Sequence, residues 1–539
     1  MDDVLKRNVV DRIWRRDVSV WTDEPNGPVG RAIANRLGWL DLPTGMAAEL
    51  PRVEALADAV RAEGVTDVYL LGMGGSSLCA EVMRCVSGER DGYPRLVVMD
   101  TTDESAIAGV LSGLDPARTL FLVSSKSGGT IEPASMEKLY WAHVSKALGG
   151  AAGRHFVAVT DPGTDLAKLA NSRGYREVFL NPPDIGGRFS ALSLFGLVPG
   201  ALIGTPVHEL LSAGADMAAG CRQDNHQNAG LELGAFYGRA AKDGRDKLTV
   251  VLPNALHSLG LWIEQLVAES TGKHGTGALP VVDEPLGEPG EYGNDRCFVA
   301  VATEHEPFDD ARLDALERAG HPVLRLTTRQ NALGAEFFRW EFATAVAGAV
   351  LGINPFDEPN VAEAKEKTRQ ILAGGDLSGG TPAASANGVS VYSKFAGASP
   401  AAVVRAAIDS IKPRDYVAFL SYLPASDHTA GAIAAIRERI RQRTHAASTF
   451  GVGPRYLHST GQYHKGGPNT AVAFVITGED ETNTPIPDAP FTFSQLKRAQ
   501  AVGDAQTLEA HGRRTVRIHL GRGVDPAAAL TALFREALQ

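Results

Sequence analysis

Four cysteines among 539 residues, Cys79, Cys85, Cys221 and Cys297, are too few to staple a chain of this size. None forms a C-x-x-C pair or the spacing of a metal finger, so reduced thiols in a cytoplasmic protein are expected. Runs of basic residues are missing as well. With 53 basic against 63 acidic side chains, a formal charge of −10, nucleic acid is not expected as a partner. Long apolar runs are equally absent: residues 1–16 alternate charge with aliphatics, and residues 191–204, the most apolar stretch, are short and broken by glycine and proline. Neither secretion nor association with a membrane is expected from such segments. The fourteen histidines are scattered without H-x-H or H-E-x-x-H spacing, so no metal and no other cofactor is expected.

What is present is a pair of glycine- and hydroxyl-rich turns. Leu70-Leu71-Gly72-Met73-Gly74-Gly75-Ser76-Ser77 and Phe121-Leu122-Val123-Ser124-Ser125-Lys126-Ser127-Gly128-Gly129-Thr130 each run from an apolar strand into small residues ahead of a helix. Glycine lets the backbone approach an anion, the first helical amides point at it, and hydroxyls add donors. The first turn lacks the Gly-Lys-Ser/Thr ending of a P-loop and the G-x-G-x-x-G of a dinucleotide site. A sugar phosphate fits these turns better than ATP or NAD. No G-x-S-x-G elbow surrounds Ser76 or Ser125, which makes them phosphate donors and not nucleophiles.

Strand and helix patterns alternate from residue 67 onward. Short aliphatic runs at 67–73, 95–100, 118–124 and 155–160 predict one parallel sheet wrapped by helices, with its ligand beyond the carboxyl ends of the strands. Runs at 247–252, 297–303 and 322–326 predict a second sheet. After a Gly, Ser, Ala and Pro-rich linker at 377–399, strands at 416–422, 471–477 and 515–520, with helices through 443 and near 493–510, predict a third unit. The expected class is therefore α/β: two doubly wound parallel-sheet domains with an additional C-terminal α/β unit. The expected division is an N-terminal arm at 1–45 packed on the first sheet, a phosphate-binding domain at 46–183, a second domain at 184–378 and the C-terminal unit at 379–539.

Three further segments can carry chemistry. In Asp184-Ile185-Gly186-Gly187-Arg188-Phe189-Ser190, one arginine follows a glycine pair, at the start of the helix that carries Ser193-Leu194-Phe195, and can meet a developing oxyanion or simply bridge domains. Glu269 falls in the last turn of a helix that begins near Ala255. The dipole there opposes a carboxylate and raises its proton affinity, as suits a base, although a solvated surface glutamate reads the same way. Lys365 lies about one and a half turns into the helix after Asn354-Pro355-Phe356-Asp357-Glu358-Pro359, where an amine is either functional or a solvated face residue. The segment Tyr456-Leu457-His458-Ser459-Thr460-Gly461-Gln462 is open between a phosphate or partner site and a glycine-rich connection.

Taken together, these motifs resemble the phosphoglucose isomerase family, built on sugar-isomerase (SIS) domains. The G-I-G-G-S turn appears as Gly72-Met73-Gly74-Gly75-Ser76, and the phosphate loop as Ser125-Lys126-Ser127 with Thr130. The G-G-R-[FY]-S signature is Gly186 to Ser190, E-S-x-G-K is Glu269 to Lys273 with Gln265 before it, and F-D-Q-x-G-V-E-x-x-K is Phe356 to Lys365. The Arg12-Ile13-Trp14 opening and the tail are similar to the isomerase half of bacterial transaldolase/phosphoglucose isomerase fusions.

The resemblance implies interconversion of glucose 6-phosphate and fructose 6-phosphate through a cis-enediol, in glycolysis and gluconeogenesis, by a homodimer. It implies Glu269 as the base and Arg188 as the enediolate stabiliser, with Lys365 helping to open the ring. Gly75, Ser76, Ser125, Lys126, Ser127, Thr130 and Gln265 would bind substrate. A dual phosphoglucose/phosphomannose isomerase and a non-catalytic phosphosugar sensor are the alternatives. Two departures stand out. Residues 275–304 hold no ring-opening histidine, leaving Asp295, Arg296 or His274 as substitutes, and Glu358 stands where the family has glutamine.

Overall fold

Fully apolar strands alternating with helices dictate parallel sheets covered on both faces, because a strand buried on two sides cannot alternate polar with apolar residues. A computed structural model describes residues 1–539, the side chain at position 2 excepted. It contains three sheets. The first comprises β1 (Asp67–Leu71), β2 (Arg95–Met99), β3 (Thr119–Ser124), β4 (Phe156–Thr160) and β5 (Glu177–Leu180), all parallel in the order β2-β1-β3-β4-β5. The second comprises β6 (Lys247–Val251), β7 (Leu279–Val281), β8 (Arg296–Ala302) and β9 (Val323–Thr327), parallel in the order β7-β6-β8-β9.

The third sheet has β10 (Ala384–Ala386), β11 (Val389–Ser393), β12 (Tyr416–Ser421), β13 (Ala447–Val452), β14 (Ala471–Gly478) and β15 (Arg514–Leu520), in the order β10-β11-β15-β14-β12-β13. Its β15-β14-β12-β13 part is parallel, while β10 and β11 form an antiparallel hairpin on the β15 edge. The hairpin corrects the reading of 377–399 as linker. Its turn is Asn387-Gly388, with φ of +51° and +75°, a pair that matches the twist of a two-residue hairpin. The strands absent from the sequence reading, β5, β7, β10, β11 and β13, are mostly short or lie at sheet edges.

The N-terminal arm joins the core that includes β1 and β3, and it also packs on a helix. Its indoles gather on the helix Leu333–Leu351, which is buried around its whole circumference and needs cover on every side. Trp14 stacks on Phe338 and Phe342 at centroid distances of 6.0 and 5.9 Å, Trp39 lies 5.6 Å from Phe338, and Trp21 Nε1 donates to the Ala345 carbonyl at 2.8 Å. One continuous core joins the arm to that helix and to β1, β3 and β8. Removing the ring on which Trp14 and Trp39 converge, by Phe338→Ala, is expected to cost about 3–5 kcal/mol in urea unfolding. Limited proteolysis should then cut first within the arm.

Candidate active site

The first glycine turn follows β1. Gly74 takes φ +55°, and a Cβ placed on Gly75 would lie 1.9 Å from the Gly187 carbonyl oxygen. The turn Gly74–Ser76 and the turn Gly187–Phe189 thus meet backbone against backbone, an approach only glycine allows. Hydroxyls secure the contact: Ser124 Oγ donates to the Ser76 carbonyl at 2.8 Å, and Ser190 Oγ to the Gly187 carbonyl at 2.6 Å. Arg188 lies in that second turn and not at a helix start, since the following helix, Leu194–Leu202, begins later and is capped by Ser193.

The second turn follows β3 and ends at Thr130, the residue ahead of the helix Ile131–Leu148. Gly128 takes φ +68°, Ser125 Oγ is 3.5 Å from Thr130 Oγ1, and the Gly129 amide donates to Ser127 Oγ at 3.4 Å. Ser127 and Thr130 open onto a cavity of about 510 Å3, whose walls include Glu132, Lys365, His458 and Gln500. Lys126 turns elsewhere: its ammonium pairs with Asp161 and donates to the Pro183 carbonyl at 3.2 Å.

Beside this cavity stands a buried charge cluster. Arg188, 3% exposed, donates from Nε to Ser270 Oγ at 2.7 Å and from Nη2 to the Pro355 and Asp357 carbonyls at 2.8 and 3.0 Å. Its Nη1 donates to Glu358 Oε2 at 3.0 Å and lies 3.7 Å from Glu269 Oε1. Glu269, 7% exposed, sits in the last turn of the helix Leu259–Thr271, and its Oε2 accepts from Gln265 Nε2 at 3.1 Å. Burial raises its proton affinity, Arg188 opposes that rise and Glu358 adds to it. A solvated surface glutamate it is not. Lys273, which holds Asp357 Oδ1 at 2.6 Å, is depressed to about 8 by burial and by Arg188.

One residue links the two halves. The same Gln265 Nε2 donates to the His458 carbonyl at 2.8 Å, and His458 Nε2 lies 3.0 Å from Glu132 Oε1. Gln500 Nε2 also donates to that oxygen, at 2.7 Å. Burial alone would raise Glu132, but His458 and Lys365 hold it below the ordinary carboxylate value. Glu132, His458 and Gln500 are the site residues that sequence reasoning missed. The Tyr456-to-Gln462 segment flagged His458 without assigning it, and nothing in the sequence flags Gln500.

The three substitutes considered for a missing histidine lie elsewhere. Arg296 is buried against Glu284 at 2.8 Å, Asp295 lies 3.5 Å from Lys247, and His274 is exposed at φ +54°. Among the described residues no group of three or more His, Cys, Asp or Glu side chains is placed to hold a metal ion, and no helix is long and apolar enough to cross a membrane.

Comparison with known proteins gives the same direction. The phosphoglucose isomerase family model matches residues 56–294. A glucose-6-phosphate isomerase of Rubrobacter xylanophilus is 32% identical over 399 residues, a match that covers 63% of this chain and 90% of that protein. One from Carboxydothermus hydrogenoformans is 28% identical and covers 62% and 85%. Among solved structures, a hypothetical protein of Thermus thermophilus superposes with a TM-score of 0.60 at 25% identity, over 69% of this chain and 97% of that one.

Because Glu358 is one cause of the raised proton affinity of Glu269, Glu358→Gln should let Glu269 ionise at lower pH. Carbon-13 NMR of glutamate-labelled protein, with Glu269→Gln to assign the signal, measures the midpoint. An unchanged midpoint would remove Glu358 from its causes.

Proposed function

The chain belongs to the phosphoglucose isomerase family, and from that premise we propose that it interconverts glucose 6-phosphate and fructose 6-phosphate through a cis-enediol. The observation that carries the reading is the buried carboxylate of Glu269, placed between an arginine and an amide that also binds the backbone of His458 on the wall of a hydroxyl-lined cavity. An aldose–ketose shift needs one base able to take a proton from C1 or C2 and return it to the other carbon, and one carboxylate suffices for that.

In this reading the phosphate is held by Ser76, Ser125, Ser127 and Thr130 together with the first amides of the helix Ile131–Leu148. Gly75 gives the backbone its close approach. Lys126 contributes charge from behind the loop, since its ammonium is committed to Asp161. Gln265 orients Glu269, with its Oε1 buried and free of a protein partner among the described residues, available to a sugar hydroxyl. As the proton leaves carbon, negative charge develops on the adjacent oxygen, and Arg188 is already desolvated and aimed beside the base, so little reorganisation is required. Lys365, on the cavity wall, helps to open the ring.

A homodimer, a cytoplasmic setting and kinship with the isomerase half of transaldolase fusions belong to the same reading. They are taken from the family and from composition.

The test is a coupled assay on fructose 6-phosphate in the presence of a chelator. Glu269→Gln should retain sugar-phosphate binding and lose roughly two to four orders of magnitude in kcat. Because burial raises the Glu269 pKa and the base works only when ionised, the wild-type rate should fall as pH drops through that raised value. Near-normal turnover by the variant would refute the assignment. Binding without exchange of the C2 proton in deuterated water would instead identify a sensor.

A further inference from the structure

We propose that the C-terminal unit completes the catalytic site within a single chain, contributing His458 as the group that accepts the anomeric hydroxyl proton when the sugar ring opens. This rests on the isomerase reading above. His458 lies outside the residues matched by the family model, which end at 294. It follows the carboxyl end of β13, in the turn Arg455–His458.

That turn is clamped between the other two sheets' loops. Arg455 pairs with Asp100 at the end of β2 through two bonds of 2.6 and 2.8 Å. Gln462 donates to the Gly272 carbonyl at 2.9 Å, one residue past the helix of Glu269, and exchanges further bonds with Asn360. The Gly275 amide donates to the Gly466 carbonyl at 2.9 Å, and a Cβ on Gly272 would lie 2.5 Å from Tyr463 Cα. These contacts tie the segment, within one chain, to the loops that carry the rest of the site.

Hexose 6-phosphates are cyclic, and the enediol forms only from the open chain. Opening breaks the bond from the anomeric carbon to the ring oxygen and turns the anomeric C–OH into C=O. The ring oxygen must gain a proton and the anomeric hydroxyl must lose one. Glu269 is reserved for the carbon-bound proton. The ionisable side chains on the cavity wall are Glu132, Lys365, Arg369 and His458. Glu132 Oε1 is taken by His458 and Gln500, and its Oε2 is fully buried, so it positions and does not react. With the His458 Nε2–H donated to this carboxylate, the lone pair is on Nδ1, which has no protein partner among the described residues. The Lys365 ammonium then protonates the ring oxygen while Nδ1 takes the hydroxyl proton. Closure of the product ring runs the same transfers backwards and restores both groups.

His458→Gln keeps an amide donor for Glu132 and removes the basic nitrogen. It should lower kcat on fructose 6-phosphate by about a hundredfold, while leaving the rate on 5-deoxy-fructose 6-phosphate, which has no hydroxyl able to close a ring, near that of wild type. Equal losses on both substrates, or no loss on either, would overturn the role. Co-expression of His458→Gln with Glu269→Gln tests the single-chain site: no activity should return. A partner-supplied histidine would rebuild one intact site per mixed dimer, and recovery of activity would overturn the proposal. An inactive wild type would overturn the isomerase reading together with this inference, whereas an active wild type with an unaffected His458→Gln would overturn this inference alone.

Discussion

A desolvated guanidinium is the constraint on which the centre of this molecule depends. Arg188 reaches five acceptors on two segments: Ser270 and Glu269 on one helix, two carbonyls and Glu358 on the loop before Lys365. A buried arginine left unpaired is costly, so the segments that satisfy it are held at fixed distances from one another. Its own turn is in turn fixed by the contact between Gly75 and Gly187, which ties the first glycine turn to the same point. One buried charge thus brings the pieces together.

Burial, together with Glu358 beside this arginine, raises the proton affinity of Glu269 above that of an ordinary glutamate. The sequence argument rests on the helix dipole, whereas the structure gives burial as the main cause and Glu358 as a second. Glutamate in place of the family's glutamine at 358 therefore acts electrostatically on Glu269. Lys273, buried and depressed to about 8, closes the cluster by holding the loop of Asp357.

Much of the fold is legible in the chain because parallel strands such as β3 and β8 are apolar without interruption. The hairpin of β10 and β11 escapes a compositional reading, since Ser and Ala dominate it, yet Asn387-Gly388 carries the turn signal. Local motifs single out Ser127, Thr130, Gln265, Glu269 and Arg188 as candidates. They do not identify His458, because its partners Gln265 and Glu132 are 193 and 326 positions away and only docking of the third sheet joins them. Nor does the amphipathic pattern reveal where the N-terminal arm rests, since indoles fit any apolar surface and the helix Leu333–Leu351 is buried on every side.

That resting place has a consequence for biogenesis. Trp14 leaves the ribosome hundreds of residues before Phe342, the ring it is to lie against. At ordinary translation speeds the wait is roughly 20–60 s, long compared with collapse of the first sheet. Trp39 can meet Phe189 well before then, but throughout that interval Trp14 lacks the rings of Phe338 and Phe342 and Trp21 lacks the Ala345 carbonyl, so those two indoles find their native cover only when the central helix emerges.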